Sequence, residues 1–249
     1  LHCADGGRGA PIEKRYASTV IGAVESGVFD YRGATGAALA APGAILFGNA
    51  GEAFICRHRG RDGARRSVVA IGGALMREAA EALGLDDDEF RLSILPPDQK
   101  SAALYGAVRR LAGSEEALEG GALELAAMAL SLGRRPAASA GVSAPGARID
   151  DVISFIETRG GECSSLAALA ALAGLSRFHF IRVFRAATGV SPHQFLIATR
   201  LRRAAERLRA CAEPVTRIAL DAGFNDLSHF NRTFRRAYGM SPRQWRARG

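Results

Sequence analysis

The chain has 249 residues, enough for one large or two ordinary domains with real cores, and carries 33 basic against 25 acidic side chains, a net charge of +8. No run reaches the roughly 18 uninterrupted apolar residues that a membrane-spanning helix needs. Four cysteines, Cys3, Cys56, Cys163 and Cys211, lie too far apart for a disulfide framework and fit reduced thiols in a cytoplasmic protein.

Residues 1 to about 14 are polar and glycine-rich and read as mobile. The chain starts at Leu1 without Met and without a signal-peptide pattern, which suggests a trimmed or incompletely numbered N-terminus. From Tyr16 the texture becomes strand-like: 18–24, 27–33, 37–41, 45–47, 53–58 and 67–71 are short β-branched or apolar runs separated by turn signals such as Pro42-Gly43 and Asn49-Ala50-Gly51. Short strands at close, regular spacing predict a small β-barrel or sandwich. Glu52, Cys56 and His58 could supply two or three metal ligands, but arginines crowd them and no second histidine is near, so no metal and no cofactor is assigned.

After Gly73 the texture turns helical. One helix is predicted over 74–83, a strand or extended run over 90–95, a helix opened by Asp98 and running to Leu111, and another from Ser114 to Leu132 that Gly120-Gly121 should weaken. Their apolar stripes serve a core; pairing of two copies into a homodimer through these helices is the alternative. Residues 133–148, with Arg134-Arg135-Pro136 and Pro145-Gly146, read as a linker. An amphipathic helix follows from Ile149.

The most informative stretch runs from Gly174 to Trp245, where one pattern is written twice. At a spacing of fifty, His179/His229, Phe180/Phe230, Arg182/Arg232, Phe184/Phe234, Arg185/Arg235, Gly189/Gly239, Ser191/Ser241, Pro192/Pro242 and Gln194/Gln244 are identical. Two copies are too few for a solenoid and indicate a duplicated supersecondary unit. Each copy reads as a short alanine-rich helix, a glycine turn and a second helix, at about 165–187 and 214–238, which is the helix-turn-helix pattern. Ser164 or Ser165, Ser176, and Asn225 or Asp226 are the expected N-caps, and Gly189 and Gly239 the stops. Pro192 to Arg209 should form one connecting helix, with Leu201, Ala205 and Leu208 inward and Arg200, Arg203 and Arg207 outward.

In the second helix of each unit, Phe180, Phe184 and Ala187, and again Phe230, Phe234 and Ala237, form a core stripe. The opposite faces carry Arg177, Phe178, Ile181, Arg182 and Arg185 in one copy and Leu227, Ser228, Asn231, Arg232 and Arg235 in the other. Arginine, asparagine and serine can read base edges in a major groove, and apolar side chains can touch thymine methyls. The alternative is a solvated basic face on two ordinary helices. Charge placement favours nucleic acid: from Asp150 onward there are 16 Arg and 8 acidic residues, whereas residues 1–149 hold 17 of each sign. The arginine- and alanine-rich, lysine-poor composition points to a GC-rich bacterial genome.

The second copy, Ile218 to Arg246, resembles the signature of the AraC/XylS family of bacterial transcription regulators, and the likeness covers about the last hundred residues. The resemblance implies two helix-turn-helix units joined by a linker helix, double-stranded DNA as partner, RNA polymerase as a further partner, and a regulator of transcription, an activator or a repressor; no run of like charges or lipidation motif points to a membrane. Carried over by position, it implies a base-reading face of Arg177, Phe178, Ile181 and Arg182 in one unit and Leu227, Ser228 and Asn231 in the other. Arg232 serves the fold, a phosphate or a base, and Ser176, Arg185 and Arg235 are the expected phosphate contacts. Residues 16–71 are similar to the cupin-like sensor half found in many such regulators, which implies a small-molecule effector or a protein partner. The expected organisation is therefore a mixed fold. Residues 1–132 form the cupin-like β-barrel and its following helices, 133–148 the linker, and 149–249 an all-α DNA-binding domain. The expected function is non-enzymatic. The rival readings, a cupin-type metal-dependent enzyme or a DNA-repair enzyme, need a ligand set or an activated cysteine.

Overall fold

The computed structural model describes residues 2–3, 12–58, 64–113, 115–134, 149–159 and 165–247. The N-terminal half holds strands β1 (His2–Cys3), β2 (Ile12–Arg15), β3 (Thr19–Ser26), β4 (Phe29–Gly33), β5 (Gly36–Ala40), β6 (Ile45–Gly48), β7 (Ala53–His58) and β8 (Ala64–Ile71). These are followed by α1 (Gly73–Ala82), β9 (Ile94–Leu95), α2 (Ala102–Leu111) and α3 (Glu115–Gly133). The C-terminal part is helical: α4 (Ile149–Arg159), α5 (Leu166–Leu172), α6 (Arg177–Thr188), α7 (Pro192–Ala210), α8 (Val215–Asp221), α9 (Leu227–Tyr238) and α10 (Pro242–Ala247). A β-rich half followed by helices and then an all-α part is the mixed class expected.

The strands form two antiparallel sheets, β1-β8-β3-β6-β9 and β2-β7-β4-β5, and not a closed barrel. Register explains the core. On β3, Ile21 stands opposite Phe47 on one side and Val69 on the other, and all three are buried under the helices. Between the sheets lie Val24, Phe29, Tyr31, Leu46 and Phe54. Tyr16 stacks on Phe54 at 4.2 Å and meets the Tyr31 hydroxyl at 2.8 Å. Its ring lies flat on Gly48, where a Cβ would come within 2.1 Å of it, so only glycine fits.

Two expectations need correction. Part of the segment read as mobile is ordered, because Ile12–Arg15 pairs with β7. It is an edge strand whose Glu13, Lys14 and Arg15 are exposed, so it lacks the alternation by which strands are read. The glycine pair lies inside α3 and has a packing reason: Gly121 lets that helix approach α2, and a Cβ there would sit 2.9 Å from Leu111. Asp98 does not cap α2 directly; its carboxylate accepts from the backbone N–H groups of Lys100 and Ser101 in the turn before the helix. Ser114, Ser164, Cys163, the start of the chain up to Pro11 apart from β1, and residues 135–148 of the expected linker lie outside the described residues.

The two parts share cores. Val28, Leu39 and Ala41 from the sheet join Val152, Ile156, Phe180, Phe184 and Phe195 in one cluster. Ala102 of α2 joins Leu201, Leu208, Phe230, Phe234 and Trp245 in another. The 19-residue α7, about 28 Å long, contributes Phe195 to the first and Leu201 to the second, and so acts as the common spine of both helical units.

Candidate nucleic-acid interface

The duplication in the sequence is a duplication in hydrogen bonds and packing. Helix α5 is capped by Ser165, whose hydroxyl accepts from Ala168 N–H, and Gly174 turns the chain at φ 69°. Helix α6 is capped by Ser176, accepting from His179 N–H, and stops at Gly189 in the left-handed conformation, φ 78°. In the second unit α8 leads to Gly223 at φ 84°, Asp226 caps α9 by accepting from Ser228 and His229 N–H, and Gly239 stops it at φ 74°. A side chain at these left-handed positions would be strained, which is why the same glycines recur.

The turn after each glycine stop is repeated as well. The Ser191 backbone N–H donates to Gln194 Oε1 at 2.9 Å while Gln194 N–H donates back to Ser191 Oγ at 3.3 Å. Ser241 and Gln244 reproduce both bonds at 2.9 and 3.3 Å. These are capping boxes with proline at the first helical position, and they account for the identity of Ser-Pro-x-Gln in both copies.

The inward faces match too. Phe180, Phe184 and Phe195 form a chain of edge-to-face rings with centroids 5.5 Å apart. Phe230, Phe234 and Trp245 form its counterpart at 5.5 and 6.1 Å. All six lie in the two cores, which fixes the rotation of α6 and α9 about their axes.

That rotation determines what is left outside. On α6, Arg177, Arg182 and Arg185 are exposed, Ile181 is half-buried, and Phe178 is 86% exposed, the most exposed of the large apolar side chains. On α9, Ser228, Asn231, Arg232 and Arg235 are exposed and Leu227 is at 38%. Every residue assigned from sequence to the base-reading faces therefore reaches the surface in whole or part. The Ser176 hydroxyl oxygen is engaged in its cap but its own proton is left to donate. Arg185 and Arg235 sit in the last turns of α6 and α9, where a cation offsets the negative end of the helix dipole. Leu227, Asn231, Arg232, Arg235 and Arg243 line an open groove of about 920 Å³ between α8, α9 and α10.

The charges along the spine depart in part from the sequence expectation. Arg207 lies outward, half-exposed, and bonds Glu213 and Asp221 at 2.6 and 3.1 Å. Arg200 is instead half-buried: its Nη1 donates to the Gly223 carbonyl at 3.0 Å and its guanidinium packs on that glycine. Arg202, absent from the inward stripe expected from sequence, is 6% exposed and bonds Glu157 Oε2 at 2.5 Å. Its position between Ala198 and Ala205 at helical spacing was the available signal. Although burial alone would lower the Arg202 pKa, the Glu157 carboxylate raises it, so the guanidinium stays charged.

In the β-rich half the three residues weighed as metal ligands do not converge. Glu52 accepts from the backbone and side chain of Asn49, and Cys56 faces Arg66. His58 is buried, and its pKa is lowered first by that burial and then by Arg66 and Lys14. Among the described residues no three His, Cys, Asp or Glu side chains are grouped as a metal would require, and no single helix is long and apolar enough to cross a membrane.

The family-model match lies in the helical part: a family model described as a helix-turn-helix domain matches residues 169–248. An uncharacterised HTH-type transcriptional regulator of Haemophilus influenzae is 44% identical over 62 residues, 25% of this chain and 21% of that one. The HTH-type transcriptional regulator MtrA of Neisseria gonorrhoeae is 37% identical over 81 residues, 32% of this chain and 27% of its own length. The matches thus span about a quarter of each of these relatives. A solved regulator with an AraC-type DNA-binding domain, from Chromobacterium violaceum, is 29% identical and covers 41% of this chain and 90% of its own, with a TM-score of 0.39.

Proposed function

We propose, from the premise that residues 169–248 belong to the AraC-type helix-turn-helix domains, that this chain is a sequence-specific DNA-binding transcription regulator. Residues 149–249 would be the DNA-binding domain, and residues 1–132 a sensor for a small molecule or a partner. The paired exposure on α6 and α9 carries the reading: equivalent helical positions, held at equivalent rotations by equivalent aromatic cores, present arginine, serine and asparagine together with the exposed apolar side chains Phe178 and Leu227.

The action is physical and involves no bond making. Two recognition helices on one chain would enter successive major grooves, about one helical turn or 34 Å apart. Arg177, Phe178, Ile181 and Arg182 would read one half-site, and Leu227, Ser228 and Asn231 the other, with Arg232 adding a base or phosphate contact. Ser176, Arg185 and Arg235 would hold phosphates and set the register. The exposed Phe178 and Leu227 are suited to thymine methyls. Arrangement of the β-rich half against α4–α7 would then change with effector, as population shift between two domain arrangements requires. The matching relatives named as transcription regulators support a non-enzymatic role, and one of them is named a transcriptional activator; contact with RNA polymerase and self-association would be further parts of such a role.

Arg182→Ala is expected to weaken binding to a specific duplex by about 1–3 kcal/mol while random-sequence binding falls far less. Fluorescence anisotropy on both duplexes across a salt series checks this. Equal loss on both would reduce Arg182 to a phosphate contact, and affinity insensitive to salt would remove nucleic acid as the partner.

A further inference from the structure

A cavity of about 330 Å³ opens at the seam between α2 of the β-rich half and α7, α9 and α10 of the helical part. Its volume is that of a small-molecule site. Its walls are mainly aromatic and cationic: Tyr105, Tyr238 and Trp245 face Arg109, Arg110, Arg202 and Arg209, and the one acidic side chain among them, Glu206, is bonded to Arg109 while Arg202 is bonded to Glu157. None of these arginines belongs to the exposed faces of α6 and α9, so the DNA-reading surface leaves the cavity unexplained.

The arginines divide sharply. Arg109 is answered by Glu206 and by Glu25. Arg209 is not. Its guanidinium lies 3.9 Å from the centroid of the Trp245 ring, and its Nε and Nη2 are buried with no acceptor among the described residues. These two nitrogens form one edge of the guanidinium fork, the edge that takes the two oxygens of a carboxylate side by side. Burial and then the charge of Arg110 push the Arg209 pKa down, the reverse of what a paired arginine undergoes. Buried donors without acceptors are costly, and an anion entering the cavity would relieve that cost by drawing the fork towards it.

The surroundings are rigid enough to hold a ligand in one place. The Trp245 indole N–H donates to the Ala205 carbonyl at 3.0 Å. Gly106 lets α2 lie against the same ring, since a Cβ there would come within 2.8 Å of it. Burial keeps the Tyr105 and Tyr238 phenols protonated, so both O–H groups remain donors.

We infer that this seam is a binding site for a small organic carboxylate with an apolar, ring-sized body, its carboxylate taken by Arg209 and Arg110 and its body lying among Tyr105, Tyr238 and Trp245. Because Arg110 belongs to the β-rich half and Arg209 to the connecting helix, the anion replaces a repulsion across the seam with a bridge. This deepens the sensing half of the proposed function and rests on that half alone.

The test is calorimetric titration of the full chain with a series of phenylalkanoates, from benzoate to 4-phenylbutyrate, at about millimolar concentration. Each is paired with its neutral carboxamide. At least one acid is expected to bind, with its amide roughly tenfold weaker or more, since hydrogen bonds to a charged group are the strong ones. Arg209→Gln is expected to lose binding by a similar factor, and Arg110→Gln, on an exposed position that carries no fold, to lose severalfold. The site is overturned if no acid in the series binds, if acid and amide bind alike, or if Arg110→Gln and Arg209→Gln both bind as the parent does. DNA is absent from the titration, so its failure leaves the DNA-binding reading standing, and a failed DNA assay leaves the site standing.

Discussion

Glu157→Ala is expected to destabilise the protein by about 3–5 kcal/mol, because it strands a buried cation. Arg202 lies in α7 with its side chain 8% exposed, bonded to Glu157 of α4, and Thr199 donates to the other oxygen of the same carboxylate at 3.0 Å. The guanidinium also lies 5.6 Å from the Tyr105 ring and crowds Gly43, so elements from both parts of the chain close around it. For a chain of this size the loss corresponds to a fall in melting temperature of about 6–20 °C, readable by scanning calorimetry. The double substitution of Glu157 and Arg202 by leucine and methionine is expected to recover most of it, since an apolar pair needs no partner charge. A fall as large in the double variant as in Glu157→Ala would mean that packing, and not charge, is what Arg202 supplies.

Phe184→Ala should cost a similar amount, about 3–5 kcal/mol, through the cavity it leaves. Phe184 is fully buried and touches Phe180 and Phe195, so it holds α6 against α7 and the sheet edge. Phe234→Ala is its equivalent in the second unit, where the ring meets Phe230, Tyr238 and Trp245. Each change is expected to loosen one of α6 and α9 before the other. Hydrogen exchange therefore distinguishes local from global loss: protection should fall first in α6 for Phe184→Ala and in α9 for Phe234→Ala. Simultaneous loss throughout both units would contradict the view that each has its own core.

Much of this is readable from residues alone because it is local. A cap, a glycine stop, a capping box and an aromatic stripe are all set within one or two helical turns, and each appears twice in the sequence with the same side chains. Helix faces come from the same spacing, which is how Arg182 and Asn231 could be assigned to the surface. The features that stay hidden depend on distant parts meeting. Arg202 falls at inward spacing between Ala198 and Ala205, but the partner that lets a charge stay there, Glu157, is 45 residues away and is not readable from that spacing. Arg209 stands out only once Trp245 is folded beneath it and Arg110 beside it. Ile12–Arg15 reads as loop because an edge strand exposes most of its side chains. Whether the strands close into a barrel or stay as two sheets is a matter of pairing, which short-strand spacing does not encode.

The proposal that α6 and α9 read DNA as a pair is tested by in vitro selection from random-sequence duplexes with the full chain. Paired reading by α6 and α9 predicts an enriched site of two sequence blocks whose centres lie about 10–10.5 base pairs apart. Arg182→Ala should blur one block and Asn231→Ala the other. A single block, or recovered duplexes with no shared sequence, would contradict it.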